Sequence, residues 1–162
     1  MSRGASENWG SIISSLALAM ILTAIPLPDL LAAVRPGWVA LVLVYWVIAV
    51  PHKVGVVTAW ITGLFLDVLS GTVLGQHALA LSLIAYITYV LHLRIRVFPL
   101  WQQCLSMIVL IGLYQLVNIM IMRAVNMTPG TLYYWLAVLS TGLVWPLVKT
   151  GMGYLRGHVV TQ

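Results

Sequence analysis

The sequence predicts an all-α membrane protein: a compact bundle of six transmembrane helices forming a single domain over residues 1–162. Three observations carry the prediction. The chain is 62% hydrophobic and 7% charged, against roughly 25% charged in a soluble domain. Its uncharged runs cover Asn8–Pro28, Pro36–His52, Val54–Leu66, Val68–Leu93, Val97–Met122 and Ala124–Val148, and about 20 mostly apolar residues cross a bilayer. The runs are parted by Pro, Gly and basic residues, with little chain left for a soluble domain.

Each element has a local reason. A helix near 11–27 ends at Pro26 and Pro28. Pro36 opens one near 38–50, where a missing N–H costs nothing, and Pro51 closes it. A third, near 54–69, stops at Gly71 and Gly75. A fourth, near 77–93, is parted from a fifth, near 104–122, by Arg94-Ile95-Arg96 and Pro99. Thr128-Pro129-Gly130 separates the fifth from a sixth, near 132–149. Glu7 and the prolines after the first apolar run favour a retained helix over a cleaved signal peptide. The second and third segments are short for a core of about 30 Å, so they either thin the membrane or form a hairpin packed inside the bundle. Two crossings, with Lys53 snorkelling to the interface, are the preferred reading.

The net charge of +5 does not point to nucleic acid, because the eight Lys and Arg are scattered between apolar runs rather than gathered on a face. They read as topology signals. Six crossings put Arg3, Lys53, Arg94, Arg96, Lys149 and Arg156 on the side of both termini, and Arg35 and Arg123 on the other. The positive-inside rule makes the first side cytoplasmic. Trp9, Trp38, Trp101 and Trp135 lie at segment ends, as interfacial aromatics do.

Asp67 is the residue out of place. It lies in the apolar run Gly63-Leu64-Phe65-Leu66-Asp67-Val68-Leu69, and a carboxylate within a membrane segment has a partner or a job. Gly63, Asp67 and Gly71 recur every four residues, so they share a face narrow enough for close helix approach. Two readings stay open: an ion pair with Arg35 at the outer start of the second segment, or capping of backbone N–H groups in the Ser70-Gly71-Thr72 turn. On the fifth segment, Gln115 and Asn118 with Tyr114 beside them suggest interhelical hydrogen bonds or a small polar pocket. His52, His77, His92 and His158 have no ligand spacing, so no metal or other cofactor is expected. Asp67 and His77 share the outer side, but no serine is placed beside both, so hydrolysis is not expected.

The ordered series of motifs is more specific than any one of them. It runs Pro26-Leu27-Pro28-Asp29, Arg35-Pro36-Gly37-Trp38, Tyr45-Trp46, Pro51-His52-Lys53-Val54, Gly63 through Asp67-Val68-Leu69-Ser70-Gly71, Leu74-Gly75, Leu100-Trp101-Gln102-Gln103 and Leu143-Val144-Trp145-Pro146. In this order and spacing the chain resembles the MreD family of bacterial rod shape-determining proteins, from about Trp9 to the last helix. The resemblance implies a non-enzymatic inner-membrane component of the cell-elongation machinery. It implies pairing with MreC and action alongside MreB, RodZ, RodA and its transpeptidase partner PBP2 in lateral peptidoglycan synthesis. It also implies a fold similar to the substrate-binding membrane subunits of vitamin transporters. The motif residues carried over are Arg35, Pro36, Trp38, Gly63, Asp67, Ser70, Gly71 and Gly75, as structural or partner-binding candidates; Gln115 and Asn118 inherit no role. A transporter-type subunit that captures a small molecule or lipid is the alternative.

Overall fold

The computed structural model describes residues 3–28, 31, 34–127 and 131–160, with side chains over 9–28, 31, 34–127 and 134–155. The described residues form six helices and no strand: α1 (Arg3–Ala24), α2 (Trp38–Ala49), α3 (Val56–Ser70), α4 (Gln76–Val97), α5 (Leu100–Ala124) and α6 (Thr131–Val160). The predicted Thr128-Pro129-Gly130 break, the side chains of Arg3, Arg156 and His158, and Asp29 lie outside the described residues.

Three helices are long and apolar enough to cross a membrane: α4, α5 and the Tyr134–Leu155 part of α6. Several helices run further than the uncharged runs suggest. Arg94 and Arg96 belong to the last turn of α4 instead of breaking the chain, because cations are favourable at a helix C-terminus. The helix stops at Phe98 because Pro99 follows and disfavours helical backbone before it. α6 continues past Lys149 and through Pro146, whose missing N–H removes one bond to the carbonyl of Gly142.

The short α2 is the hub. Its 12 residues reach about 18 Å. Val39 to Val47 are all buried, in contact with α1, α4 and α6. A helix apolar all round belongs inside a protein or a membrane, and here it is inside the protein. This places the second segment within the bundle. Hydrogen bonds fix both its ends. The Gly37 N–H donates to Thr141 Oγ1 of α6 at 3.0 Å, and Trp46 Nε1 donates to Ser15 Oγ of α1 at 2.8 Å. Around this hub, α3 packs on α4, α4 on α5 and α5 on α6. Two glycines set the closest approaches. A Cβ on Gly63 would lie 2.2 Å from Ala78 Cα of α4, and one on Gly142 would lie 2.3 Å from Ile108 Cγ1 of α5.

The bundle therefore has two chemically distinct ends. One holds Lys53, Arg94, Arg96 and Lys149. The other holds Arg35 and the α3–α4 turn with Asp67.

Candidate functional site

The α3–α4 turn is built by two glycines in left-handed backbone. Gly71 (φ 63°) ends α3 and returns its N–H to the Asp67 carbonyl, as a glycine just past a helix does. Gly75 (φ 96°) stands at the N-cap of α4. The first N–H groups of a helix lack intrahelical acceptors, and a glycine at the N-cap has no side chain to offer them one. Asp67 supplies it from the preceding helix. Its Oδ2 accepts the Gly75 N–H at 2.9 Å and, more weakly, the Ala78 N–H at 3.4 Å. Its Oδ1 accepts the His77 N–H at 2.8 Å and the Thr72 hydroxyl at 3.0 Å. The same oxygen faces His77 Nδ1 at 2.8 Å. The carboxylate is 1% exposed and sits at a helix N-terminus, where negative charge is favoured.

Gly63 makes this reach possible. With no side chain there, the backbone of His77 and Ala78 comes down onto α3, one turn from Asp67. Gly63 and Asp67 share the face turned to α4, whereas Gly71 lies past the end of α3 and off that face. That face is internal packing and is closed to a second protein; Ser70 and Gly71 remain exposed.

The expected Asp67–Arg35 pair is not formed. Arg35 Nη2 donates to the Leu22 carbonyl near the end of α1, and the side chain facing the carboxylate is the His77 ring. Capping is the correct reading of the two, but it acts on the start of α4 instead of the Ser70-Gly71-Thr72 turn. Pro36 accepts the Trp38 N–H at 2.9 Å, and Trp38 opens α2 half-buried against the core. Arg35, Pro36 and Trp38 thus shape the α1–α2 connection.

A hydroxyl does lie beside both Asp67 and His77, and it belongs to Thr72. Its placement argues against nucleophilic chemistry. Thr72 Oγ1 is 3.2 Å from His77 Nδ1, the same ring nitrogen that faces the carboxylate. A relay needs the hydroxyl on one imidazole nitrogen and the carboxylate on the other. The arrangement fastens a turn.

On α5, the Tyr114 ring stands 6.0 Å from that of His77, and Asn118 is buried one turn further along the same helix. Asn118 is buried with its Oδ1 unpartnered; Gln115 is half-buried beside it. Tyr114 and Asn118 thus place polar groups of α5 near the α3–α4 cluster, with His77 the nearest ring to Tyr114. The sequence puts His77 on the same side as Asp67 but does not pair the two, because His77 lies ten residues on, across a turn, at no helical period. The glycine at the start of α4, which leaves first-turn donors uncapped after a buried carboxylate, was the available signal.

The fold and site define a polytopic helical membrane protein whose embedded carboxylate joins two helices. Its kinship is more specific. The family model described as rod shape-determining protein MreD matches residues 6–154, and the chain belongs to that family. Rod shape-determining protein MreD of Haemophilus influenzae is 32% identical over 155 residues, covering 94% of each chain. No solved structure matches the chain.

Proposed function

We propose that this protein is a non-enzymatic inner-membrane scaffold of the cell-elongation complex, which binds MreC and thereby supports lateral peptidoglycan synthesis and rod shape. The observation that carries the reading is full-length similarity to a rod shape-determining protein. The use of Asp67 to fasten two helices supports an architectural role over turnover. Both termini lie in the cytoplasm on the basic-residue count, which puts the Asp67 end on the periplasmic side. Partner binding selects one arrangement of the complex and so biases the synthases, with MreB, RodZ, RodA and PBP2 engaged indirectly. Arg35, Pro36, Trp38, Ser70 and Gly71 offer the contact candidates at that end.

The test is depletion of the protein from a rod-shaped cell, combined with purification of a tagged copy. Rounding of the cells and co-purification of an MreC-like protein are expected. Unchanged morphology, with a small molecule retained through purification, would favour a transporter-type capture subunit instead.

A further inference from the structure

At the basic end, a cavity of about 220 Å³ opens between α2, α4, α5 and α6, lined by Tyr45, Arg96, Gln103, Trp145 and Lys149 among others. Its polar chemistry is one-sided. Arg96 Nη2 donates to the Ile48 and Ala49 carbonyls at the end of α2, at 2.6 and 3.3 Å. Lys149 Nζ donates to Gln103 Oε1 at 2.8 Å. That oxygen also accepts Trp145 Nε1 at 3.3 Å, while Gln103 Nε2 is spent on the Phe98 carbonyl at 2.9 Å. The acceptors are used, whereas a guanidinium has five N–H donors and an ammonium three. Asp67 is the one carboxylate among the side chains described, and it sits at the opposite end. Among the described side chains, two cations therefore line this cavity without a carboxylate to balance them.

An apolar groove lies beside the cavity. Ile95 lines both it and a neighbouring cleft of about 330 Å³ between α4 and α5, whose walls include Leu91, Leu105 and Val109, with Arg94 at its basic end. From Ile87 to Ile95 the cleft follows α4 for about 12 Å.

We infer that the cavity holds the phosphate of an anionic membrane phospholipid, with an acyl chain lying in the α4–α5 groove. Basic pockets between membrane helices bind lipid headgroups of this charge. The adjoining groove favours a lipid over a partner's acidic side chain, which has no use for an apolar channel running down the helices. This inference stands apart from the scaffold reading and is measured without any partner.

The experiment uses the full chain in detergent, titrated with dioleoylphosphatidylglycerol or dioleoylphosphatidylcholine and read by native mass spectrometry. Two cations near an anionic group predict a preference of about thirtyfold for phosphatidylglycerol. Arg96→Gln with Lys149→Gln is expected to abolish the preference, whereas Arg123→Gln, at the other end of α5, leaves it intact. Arg96→Lys keeps the charge and is expected to retain most of the preference, which guards against misreading a folding defect as lost binding. Leu91→Trp fills the groove and is expected to weaken lipid binding with the cations in place. Equal binding of the two lipids overturns the proposal, as does a preference that survives the double variant. If inorganic phosphate displaces phosphatidylglycerol at equal concentration and Leu91→Trp has no effect, the ligand is phosphate alone and the lipid proposal fails. It fails equally if the double variant releases a co-purified protein and leaves lipid binding unchanged.

Discussion

Asp67→Leu removes the acceptor on which the start of α4 depends. Two short backbone bonds are lost, from Gly75 at 2.9 Å and His77 at 2.8 Å, together with the bonds from Thr72 and the His77 ring. Side chains can turn elsewhere, but backbone donors cannot. An orphaned N–H costs about 1–3 kcal/mol when fully buried, so about 2–6 kcal/mol for the two is a ceiling, both bonds being part-buried. Leucine also ends the burial of a charged group, which offsets part of the loss, so the lower half of that range is expected. Asp67→Asn keeps one acceptor oxygen and turns an NH₂ toward the other donors, for a loss of about 1–3 kcal/mol. Thermal unfolding of the detergent-solubilised protein, followed by tryptophan fluorescence, is expected to rank wild type above asparagine above leucine. A leucine variant that melts with the wild type would falsify the capping argument.

Four further outcomes are expected. Arg35→Gln and Asp67→Asn should act additively in a double-mutant cycle, within about 0.5 kcal/mol, because Arg35 bonds the Leu22 carbonyl; a coupling above that margin restores the direct pair. His77→Ala should cost about 1.5–3 kcal/mol in the same melting assay, the value of a hydrogen bond to a charged group, and an unchanged midpoint removes the ring from the account. Gly63→Ala should cost more than Gly142→Ala, by unfolding midpoint, because the added methyl meets Ala78 backbone in the first case and an Ile108 side chain in the second; overpacking costs about 1–3 kcal/mol, and the reverse order refutes the contact. A phosphatase reporter joined after Val97 should be inactive in living cells, and an active fusion inverts the proposed orientation.

Much of this architecture was legible from punctuation. Prolines and glycines placed the breaks, and the rarity of acidic residues drew attention to Asp67. What stayed hidden was which apolar side faces protein. Leu43 is fully buried and Leu143 is 77% exposed, yet both stand in equally apolar runs, because lipid and protein interior ask for the same residue types. Hydrophobic periodicity reports water against core, and a membrane erases that contrast. The central position of α2 was illegible for this reason. Arg94 and Arg96 misled in the opposite direction: charge suggests a loop, but a helix end accepts it. The partner of Asp67 was missed because a turn set its spacing.

The central helix also constrains how the chain comes to be assembled. A 12-residue apolar stretch is a poor membrane anchor by itself. Two of the walls that enclose it, α4 and α6, begin only at Gln76 and Thr131. It emerges from the ribosome well before those walls exist and must be held provisionally until they arrive. A nascent chain stalled before Thr131 would leave its heart open on the α6 side.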